Sequence, residues 1–143
     1  MKHNVSLRAI AVEYAAKQWA MDPTALQAFF ETLNTLEPLA VADMDDLDEV
    51  QPEPFLRDGT TAIIPITGPM LCRVPEIFRW FGIQATDMTE VAALVQTLDA
   101  DDSIETIAFH IDSGGGEVCI ALDDLAEAIK NSSKTTESRI GDM

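Results

Sequence analysis

The chain has 143 residues, a length that suits one domain built on a single core. Its formal net charge of -16, from 9 Lys and Arg against 25 Asp and Glu, argues against a nucleic-acid backbone or an anionic membrane as a partner. The 2 cysteines are too few for a disulfide framework and lack the spacing of a zinc site, so we expect no metal and a reducing compartment such as the cytoplasm. No apolar run reaches the length of a membrane span.

Two amphipathic helices are predicted at the start of the chain. The first runs from about Leu7 to Trp19, where apolar residues recur at three- and four-residue steps. The second begins with Asp22, a good N-cap, and Pro23, which fits the first helical position. Pro38 marks its end. Residues 1–40 are therefore predicted to be a helical N-terminal segment.

An acidic stretch follows, and we expect residues 41–57 to be a linker. The run from Val41 to Pro54 contains 6 carboxylates and no Lys or Arg. It lacks the alternating ligands, the central glycine and the terminal glutamate of a calcium-binding EF-hand loop, so a calcium site is not favoured. Mutual repulsion of the carboxylates should keep this linker extended.

The next part of the chain alternates between strand and helix patterns. Thr60–Thr67 is β-branched and apolar, as expected for a strand covered on both faces. A helix capped at Thr86 or Asp87 precedes a second strand, Ile104–Ile111, and another helical stripe begins at Val118. This order predicts an α/β fold with a parallel sheet and right-handed βαβ crossovers, in which ligands bind at the carboxyl ends of the strands.

The most informative feature is the glycine turn between the second strand and the helix after it. Its sequence, from Asp112 to Gly116, is DSGGG. Three glycines leave the backbone N–H groups uncovered and free to take a positive φ. A phosphate cradle is not favoured, because the spacing fits neither glycine-rich nucleotide motif and Glu117 would repel a phosphate. The same geometry suits an oxyanion hole for a tetrahedral intermediate.

The strand and turn IAFHIDSGGGEV resemble the signature I-x-x-x-I-[DN]-S-P-G-G-x-V of the signal peptide peptidase A family and its Clp-protease-fold relatives, with Gly114 in place of proline. TTAIIPITGPM resembles the opening strand of these peptidases, and FGIQATDMTEVAALVQTLDADDSIETI resembles their first crossover helix and acidic turn. QWAMDPTALQAFF resembles the N-terminal segment of the phage-type members, which are capsid-maturation proteases. The likeness covers most of residues 15–134.

This resemblance implies an incomplete Clp-protease/crotonase-like fold, with residues 58–134 as the N-terminal half of the peptidase domain and residues 135–143 as a divergent polar tail. It also implies a serine endopeptidase with a Ser–Lys dyad, in which a lysine takes the proton from the serine hydroxyl. Gly116, with Gly115 beside it, would correspond to the oxyanion donors. Neither the nucleophile nor the dyad lysine has a matching position, so we expect a chain truncated before the catalytic serine and inactive alone.

The resemblance further implies the partners of the chain. They would be a peptide or a phage capsid or scaffold protein, together with further copies of the chain in a homo-oligomer. No cofactor is implied. The expected location is the cytoplasm of a bacterial host cell or the virion.

Local residues make a poor substitute for the missing dyad. His110 shares a strand face with Asp112, whereas Ser113 points to the other side, so we expect a structural histidine rather than a catalytic triad. Two other functions remain open. The first is a non-catalytic capsid-assembly or oligomerisation module, and the second, more distant, is a crotonase-like acyl-CoA-binding protein.

Overall fold

A computed structural model of the chain describes residues 7–35 and 54–141. Over these residues the fold is mixed α/β, with five helices and two four-stranded sheets. The elements in chain order are α1 (Leu7–Ala15), β1 (Trp19–Met21), α2 (Pro23–Thr35), β2 (Leu56–Asp58), β3 (Thr61–Thr67), β4 (Met70–Leu71), α3 (Glu76–Trp80), β5 (Thr86–Asp87), α4 (Met88–Asp99), β6 (Thr106–Asp112), β7 (Gly115–Glu117), α5 (Ile120–Lys130) and β8 (Thr135–Ile140). The predicted α/β class is confirmed, and most of the predicted linker, residues 41–57, lies outside the described residues.

The larger sheet has the strand order β2-β3-β6-β8. Strands β3 and β6 are parallel over their whole length, with Thr61 opposite Thr106 and Thr67 opposite Asp112, and β8 continues the parallel arrangement beyond β6. Strand β2 is antiparallel to β3, so the sheet is mixed rather than purely parallel. The short hairpin made by β2 and β3 turns at Gly59, which has a φ of 63°.

Strand β8 lies in the segment predicted as a divergent polar tail, and the sequence did not predict it as a strand. Its residues, TTESRI, are all exposed, so they carry no apolar alternation that would mark a half-buried strand. The strand forms because its backbone pairs with β6, whose central residues are buried. Backbone pairing with a buried neighbouring strand is therefore enough to form β8, even though its exposed side chains show no strand pattern.

The smaller sheet has the order β1-β7-β4-β5 and corrects the prediction of one parallel sheet. Gly115 and Gly116, predicted as part of a turn, lie in strand β7, which pairs antiparallel with β1 and parallel with β4. The predicted first helix ends at Ala15 instead of Trp19, because Trp19–Met21 is taken up by β1. Strands of two or three residues are too short to show a period in the sequence, which explains why all four were missed.

Two clusters of buried side chains hold the sheets and helices together. One lies between the larger sheet and helices α4 and α5. The other joins α1, α2 and α3 through packed aromatic rings, in which Tyr14, Phe29 and Phe78 have ring centroids 6.0 to 6.5 Å apart. Offset and edge-to-face arrangements at these distances add to the stabilisation from burial.

Helix α5 buries only part of the predicted stripe. The sequence predicted Val118, Leu122, Leu125 and Ile129 as its buried residues. Leu125 is buried and Ile129 packs against the core, but Val118 and Leu122 are 44% and 38% exposed. The helix begins at Ile120, two residues after the predicted start, and Ala121 is its other buried residue.

Helix α4 begins at the predicted cap. The Oδ1 atom of Asp87 accepts a hydrogen bond from the Glu90 amide at 3.0 Å, and its Oδ2 atom accepts one from the Val74 amide, also at 3.0 Å. The side chain thus satisfies one orphan amide of the helix and one of the preceding loop.

Asp99, at the other end of α4, ties this helix to the segment between α5 and β8. Its Oδ1 atom accepts hydrogen bonds from the Ser133 amide at 2.7 Å, the Ser133 hydroxyl at 2.9 Å and the Ser132 hydroxyl at 3.0 Å. These bonds, the Ser133 amide foremost, lower the pKa of Asp99 below its ordinary value of 3.8.

We expect the Asp99→Asn variant to have a weaker acid dependence of stability than the wild type. A carboxyl whose pKa is lowered by folding contributes stability above its unfolded-state value of 3.8, and the contribution disappears as the pH falls through the lowered folded-state pKa. Urea midpoints measured from about pH 5 down to about pH 2 should therefore fall less steeply in the variant. Asp102→Asn, at an exposed position, is the control, and equal slopes for Asp99→Asn and wild type would contradict the prediction.

Candidate functional site

The carboxyl ends of β3 and β6 are joined by hydrogen bonds of the residues that follow them. The Ser113 hydroxyl donates to the Gly68 carbonyl oxygen at 2.6 Å, and the Gly68 amide donates to the Asp112 carbonyl oxygen at 3.2 Å. The hydroxyl of Ser113 is therefore committed to the backbone. This contact gives Ser113 a structural role.

A cavity of about 540 Å³ opens at this end of the sheet. Three parts of the chain line it: one face of α2 together with the end of β1, the loop around Gly82, and the end of β6 with the residues that follow β3 and β6. Among the lining residues are Met21, Ala25, Phe29, Gly68, Asp112, Ser113 and Gly114. A cavity at the carboxyl ends of parallel strands is where ligands bind in open α/β sheets.

Gly68 is required by the geometry of the cavity wall. Its φ is 68°, in the left-handed region, and a Cβ at this position would collide with the Gln84 carbonyl oxygen. The backbone of the loop before β5 therefore packs directly against the end of β3. Only glycine allows this approach without moving the backbone.

The glycine triplet divides between the cavity and the smaller sheet. Gly114 lines the cavity, whereas Gly115 and Gly116 belong to β7 and do not line it. A Cβ on Gly115 would collide with the Ala20 carbonyl oxygen, and one on Gly116 with the Met70 carbonyl oxygen. The two glycines therefore let β1 and β4 approach β7 closely from either side.

The backbone amides of Gly115 and Gly116, predicted as oxyanion donors, have partners in this structure. The Gly115 amide donates to the Ser113 hydroxyl at 3.2 Å. At the two ends of the β1–β7 ladder, the Val118 amide donates to the Gln18 carbonyl oxygen and the Asp22 amide donates to the Gly114 carbonyl oxygen. In an antiparallel ladder, hydrogen-bonded and non-hydrogen-bonded residue pairs alternate, so Ala20 and Gly116, midway between these two pairs, are a hydrogen-bonded pair. The oxyanion role stays a prediction, and it requires β1 to leave β7.

Glu117, at the end of β7, is a buried carboxylate with two partners. Its side chain is 4% exposed, and its Oε1 atom lies 2.8 Å from the Lys17 Nζ atom. Its Oε2 atom accepts a hydrogen bond from the Cys72 amide at 2.8 Å. Burial and then the negative charge of Glu117 raise the pKa of Tyr14, whose ring lies 5.0 Å from the Lys17 Nζ atom. From the sequence, Glu117 is recognisable only as a residue that would repel a phosphate, because Lys17 is distant from it along the chain.

Cys72 and Cys119 form a disulfide in this structure, with their Cα atoms 6.3 Å apart. Two cysteines are too few for a disulfide framework, as the sequence indicates, but the fold joins them in a single bond. The two residues are 47 positions apart, so only the fold brings them together. Together with Glu117 they form a group of potential metal ligands whose sulfur and carboxylate oxygen atoms lie within 4.8 Å of one another.

His110 is half-buried in β6, opposite Pro65 on one side and Arg139 on the other. Its Nε2 atom is buried and has no hydrogen-bond partner among residues 7–35 and 54–141. The Ser113 hydroxyl donates to Gly68 instead of to the imidazole. The two side chains therefore do not form a nucleophile–base pair in this arrangement.

Comparisons with protein-family models, with curated protein sequences and with solved structures found no match. In the described part of the chain, no helix is long and apolar enough to cross a membrane.

We expect Gly116→Ala to destabilise the protein more than Gly59→Ala. Gly59 has a φ of 63° and open space around it, so alanine there should cost only the conformational strain of about 1 kcal/mol. Alanine at Gly116 must displace the Met70 carbonyl, and overpacking of this kind typically costs roughly 1–3 kcal/mol, occasionally more. Chemical denaturation of both variants measures the difference, and equal losses of stability would show that β4 and β7 are not this close.

Proposed function

We propose that these residues form the substrate-binding and oxyanion part of a serine endopeptidase of the signal peptide peptidase A type, related to phage capsid-maturation proteases. The proposed fold is an incomplete Clp-protease/crotonase-like fold with right-handed crossovers. Its proposed substrates are a peptide or a phage capsid or scaffold protein, and its proposed location is the bacterial cytoplasm or the virion.

The observation that carries this proposal is the pairing of β1 with β7. An extended segment of three residues, Trp19–Met21, lies antiparallel on the glycine strand Gly115–Glu117. Peptidases commonly hold their substrates as an added strand, in which main-chain hydrogen bonds provide the affinity. Strand β7 already accepts a peptide segment in this way, so an extended substrate has a binding mode available to it.

The carbonyl group of Ala20 supports the assignment of Gly116 as an oxyanion donor. Ala20 is the hydrogen-bonded partner of Gly116, and a Cβ on Gly115 would touch the Ala20 oxygen. This carbonyl therefore lies where the carbonyl of a bound peptide would meet the Gly116 amide, whereas the Gly115 amide donates to the Ser113 hydroxyl. We infer that β1 takes the place of a substrate strand, and that a substrate binds when β1 is displaced.

The site lies at the carboxyl ends of β3 and β6, where the cavity beside Gly114 gives room for side chains of a bound peptide. Ser113 holds the loops after the two strands together through its bond to Gly68. This arrangement supports a binding role for the turn in which Ser113 is a positioning residue.

Catalysis by these residues alone is not part of the proposal. The Ser–Lys mechanism needs a serine hydroxyl within hydrogen-bond reach of a lysine amine. Among the described residues, no hydrogen bond joins these two groups: the Lys134 Nζ atom donates to the Asp101 carbonyl oxygen, and the Lys17 Nζ atom pairs with Glu117. We therefore propose that residues 1–143 bind peptides without hydrolysing them.

The Ala20→Pro variant tests the proposed binding site. Proline removes the amide that pairs with Gly116 and should therefore release β1. The loss of one hydrogen bond, worth roughly 1 kcal/mol, should make hydrogen exchange at the Gly116 amide about fivefold faster or more. The peptide QWAMD, which copies residues 18–22, should then shift the amide resonances of Gly115 and Gly116. Ala20→Val is the matched control, since it keeps the amide and favours a strand.

Two outcomes would contradict the proposed function. In the first, the peptide causes no shift at Gly115 or Gly116 in Ala20→Pro although Gly116 exchanges faster, which would mean that β7 does not bind peptides. In the second, the wild-type chain hydrolyses a protein substrate and Ser113→Ala abolishes the hydrolysis, which would make Ser113 a nucleophile.

A non-catalytic assembly module is the second candidate function, and the exposed edge of the larger sheet favours it. Strand β8 lies at the end of the strand order, all its residues are exposed, and the Ile140 side chain is 83% exposed. An unpaired strand edge can accept a strand from a second copy of the chain.

We expect Thr136→Pro to weaken self-association if β8 is the interface. Proline removes a donor from the exposed edge and is a common device against edge pairing. Light scattering over a concentration series should show a concentration-dependent oligomer for the wild type and a smaller species for the variant. A wild type that remains monomeric throughout the series would exclude this function for the chain.

A further inference from the structure

Three side chains with metal-binding atoms meet beside the glycine strand. Cys72 directly follows β4, Glu117 ends β7, and Cys119 is the N-cap residue of α5. One ligand atom from each, two sulfurs and a carboxylate oxygen, lies within 4.8 Å of the other two. Both cysteines are half-buried and Glu117 is buried, so the group is partly shielded from solvent.

The carboxylate of Glu117 is held in place by groups other than the sulfurs. Lys17 contacts its Oε1 atom and the Cys72 amide contacts its Oε2 atom, both at 2.8 Å. An ionised carboxylate has about four lone-pair positions, so these two contacts leave others free. Contacts of this kind hold the carboxylate in a fixed orientation, as hydrogen-bond partners of metal ligands do.

We propose that, once the Cys72–Cys119 disulfide is reduced, the two thiolates and the Glu117 carboxylate bind one thiophilic divalent cation of the zinc class. A reductant of the phosphine or dithiol class supplies two electrons, which break the sulfur–sulfur bond. Two protons, from water with a phosphine or from the dithiol itself, complete the two thiols, and the reductant leaves as the phosphine oxide or the cyclic disulfide. Cation binding then releases two protons to solvent and forms two metal–sulfur bonds and one metal–oxygen bond. The disulfide is the oxidised form that does not bind the cation.

Charge and ligand chemistry both favour this cation. The two thiolates and the carboxylate carry three negative charges and Lys17 carries one positive charge, so a divalent cation makes the group neutral. Thiolates select zinc over the hard cations magnesium and calcium. Zinc sites with three protein ligands keep a fourth position open to solvent, which fits the partial exposure of the cysteines.

The cation ligands are the side chains of Cys72, Glu117 and Cys119, whereas the proposed peptide site uses the amides of Gly115 and Gly116, so neither site requires the other to be occupied. A chain that binds no peptide can still bind the cation, and the reverse also holds. The experiments for the two proposals therefore fail independently.

Titration of the full chain with Co²⁺ tests the proposal, after reduction with a phosphine and removal of the excess reductant. We expect binding of one equivalent, with a thiolate-to-cobalt charge-transfer band and the intense visible bands of a tetrahedral site, and displacement of the cobalt by Zn²⁺. The unreduced protein should show neither band. Absence of binding by the reduced protein, or binding without the charge-transfer band, would overturn the proposal.

Variants assign the ligands. Each of the variants Cys72→Ser and Cys119→Ser should weaken the charge-transfer band strongly. The variant Glu117→Gln should lower the cobalt affinity by roughly tenfold or more, because the loss of even a residue that only supports a metal ligand lowers the affinity by that factor. Glu127→Gln, at an exposed position of α5, is the control. Wild-type affinity in Glu117→Gln would show that Glu117 is not a ligand and contradict the proposed site.

A measurement on the wild type covers the case in which Glu117→Gln does not fold. X-ray absorption spectroscopy of the reduced, zinc-loaded chain should show two sulfur neighbours together with lighter oxygen neighbours. A first shell of oxygen and nitrogen alone, or of four sulfurs from two chains, would overturn the proposal.

Discussion

Close backbone approach at two glycines is the constraint on which the rest of the structure depends. Gly115 and Gly116 have no Cβ atoms, so the carbonyl groups of Ala20 and Met70 can lie against them from opposite sides. This contact inserts β7 between β1 and β4 and so joins the N-terminal helices to the α/β unit. Without it, the aromatic cluster of α1, α2 and α3 would have no sheet contact through β1.

The sequence was sufficient where a segment is long and periodic. Three elements lie where the pattern predicted them: the strand Thr61–Thr67, the cap at Asp87 and the helix after it. In such segments several residues repeat the same hydrophobic pattern, which makes the element recognisable from the sequence. A cavity also lies at the carboxyl ends of β3 and β6, the place at which the topology predicts that ligands bind.

The remainder depends on contacts between distant residues, which no local pattern encodes. Strand β7 was predicted as a turn because three glycines favour one, and its pairing with β1 involves residues almost a hundred positions away. The disulfide and the burial of Glu117 likewise arise only when β4 and β7 meet. Glycine-rich segments are ambiguous in this respect, since the missing side chain serves a turn and a close strand contact equally well.

The pairing of Lys17 with Glu117 links the position of β1 to the charge beside β7. Lys17 precedes β1 by two residues, so a peptide that displaced β1 would also draw Lys17 away and leave a buried carboxylate without its partner. An uncompensated buried charge is strongly destabilising, so this pair favours the paired state of β1. A divalent cation bound to Glu117 would supply the missing positive charge and reduce that penalty. The release of β1 and the reduction of the neighbouring cysteines would then be coupled through one carboxylate.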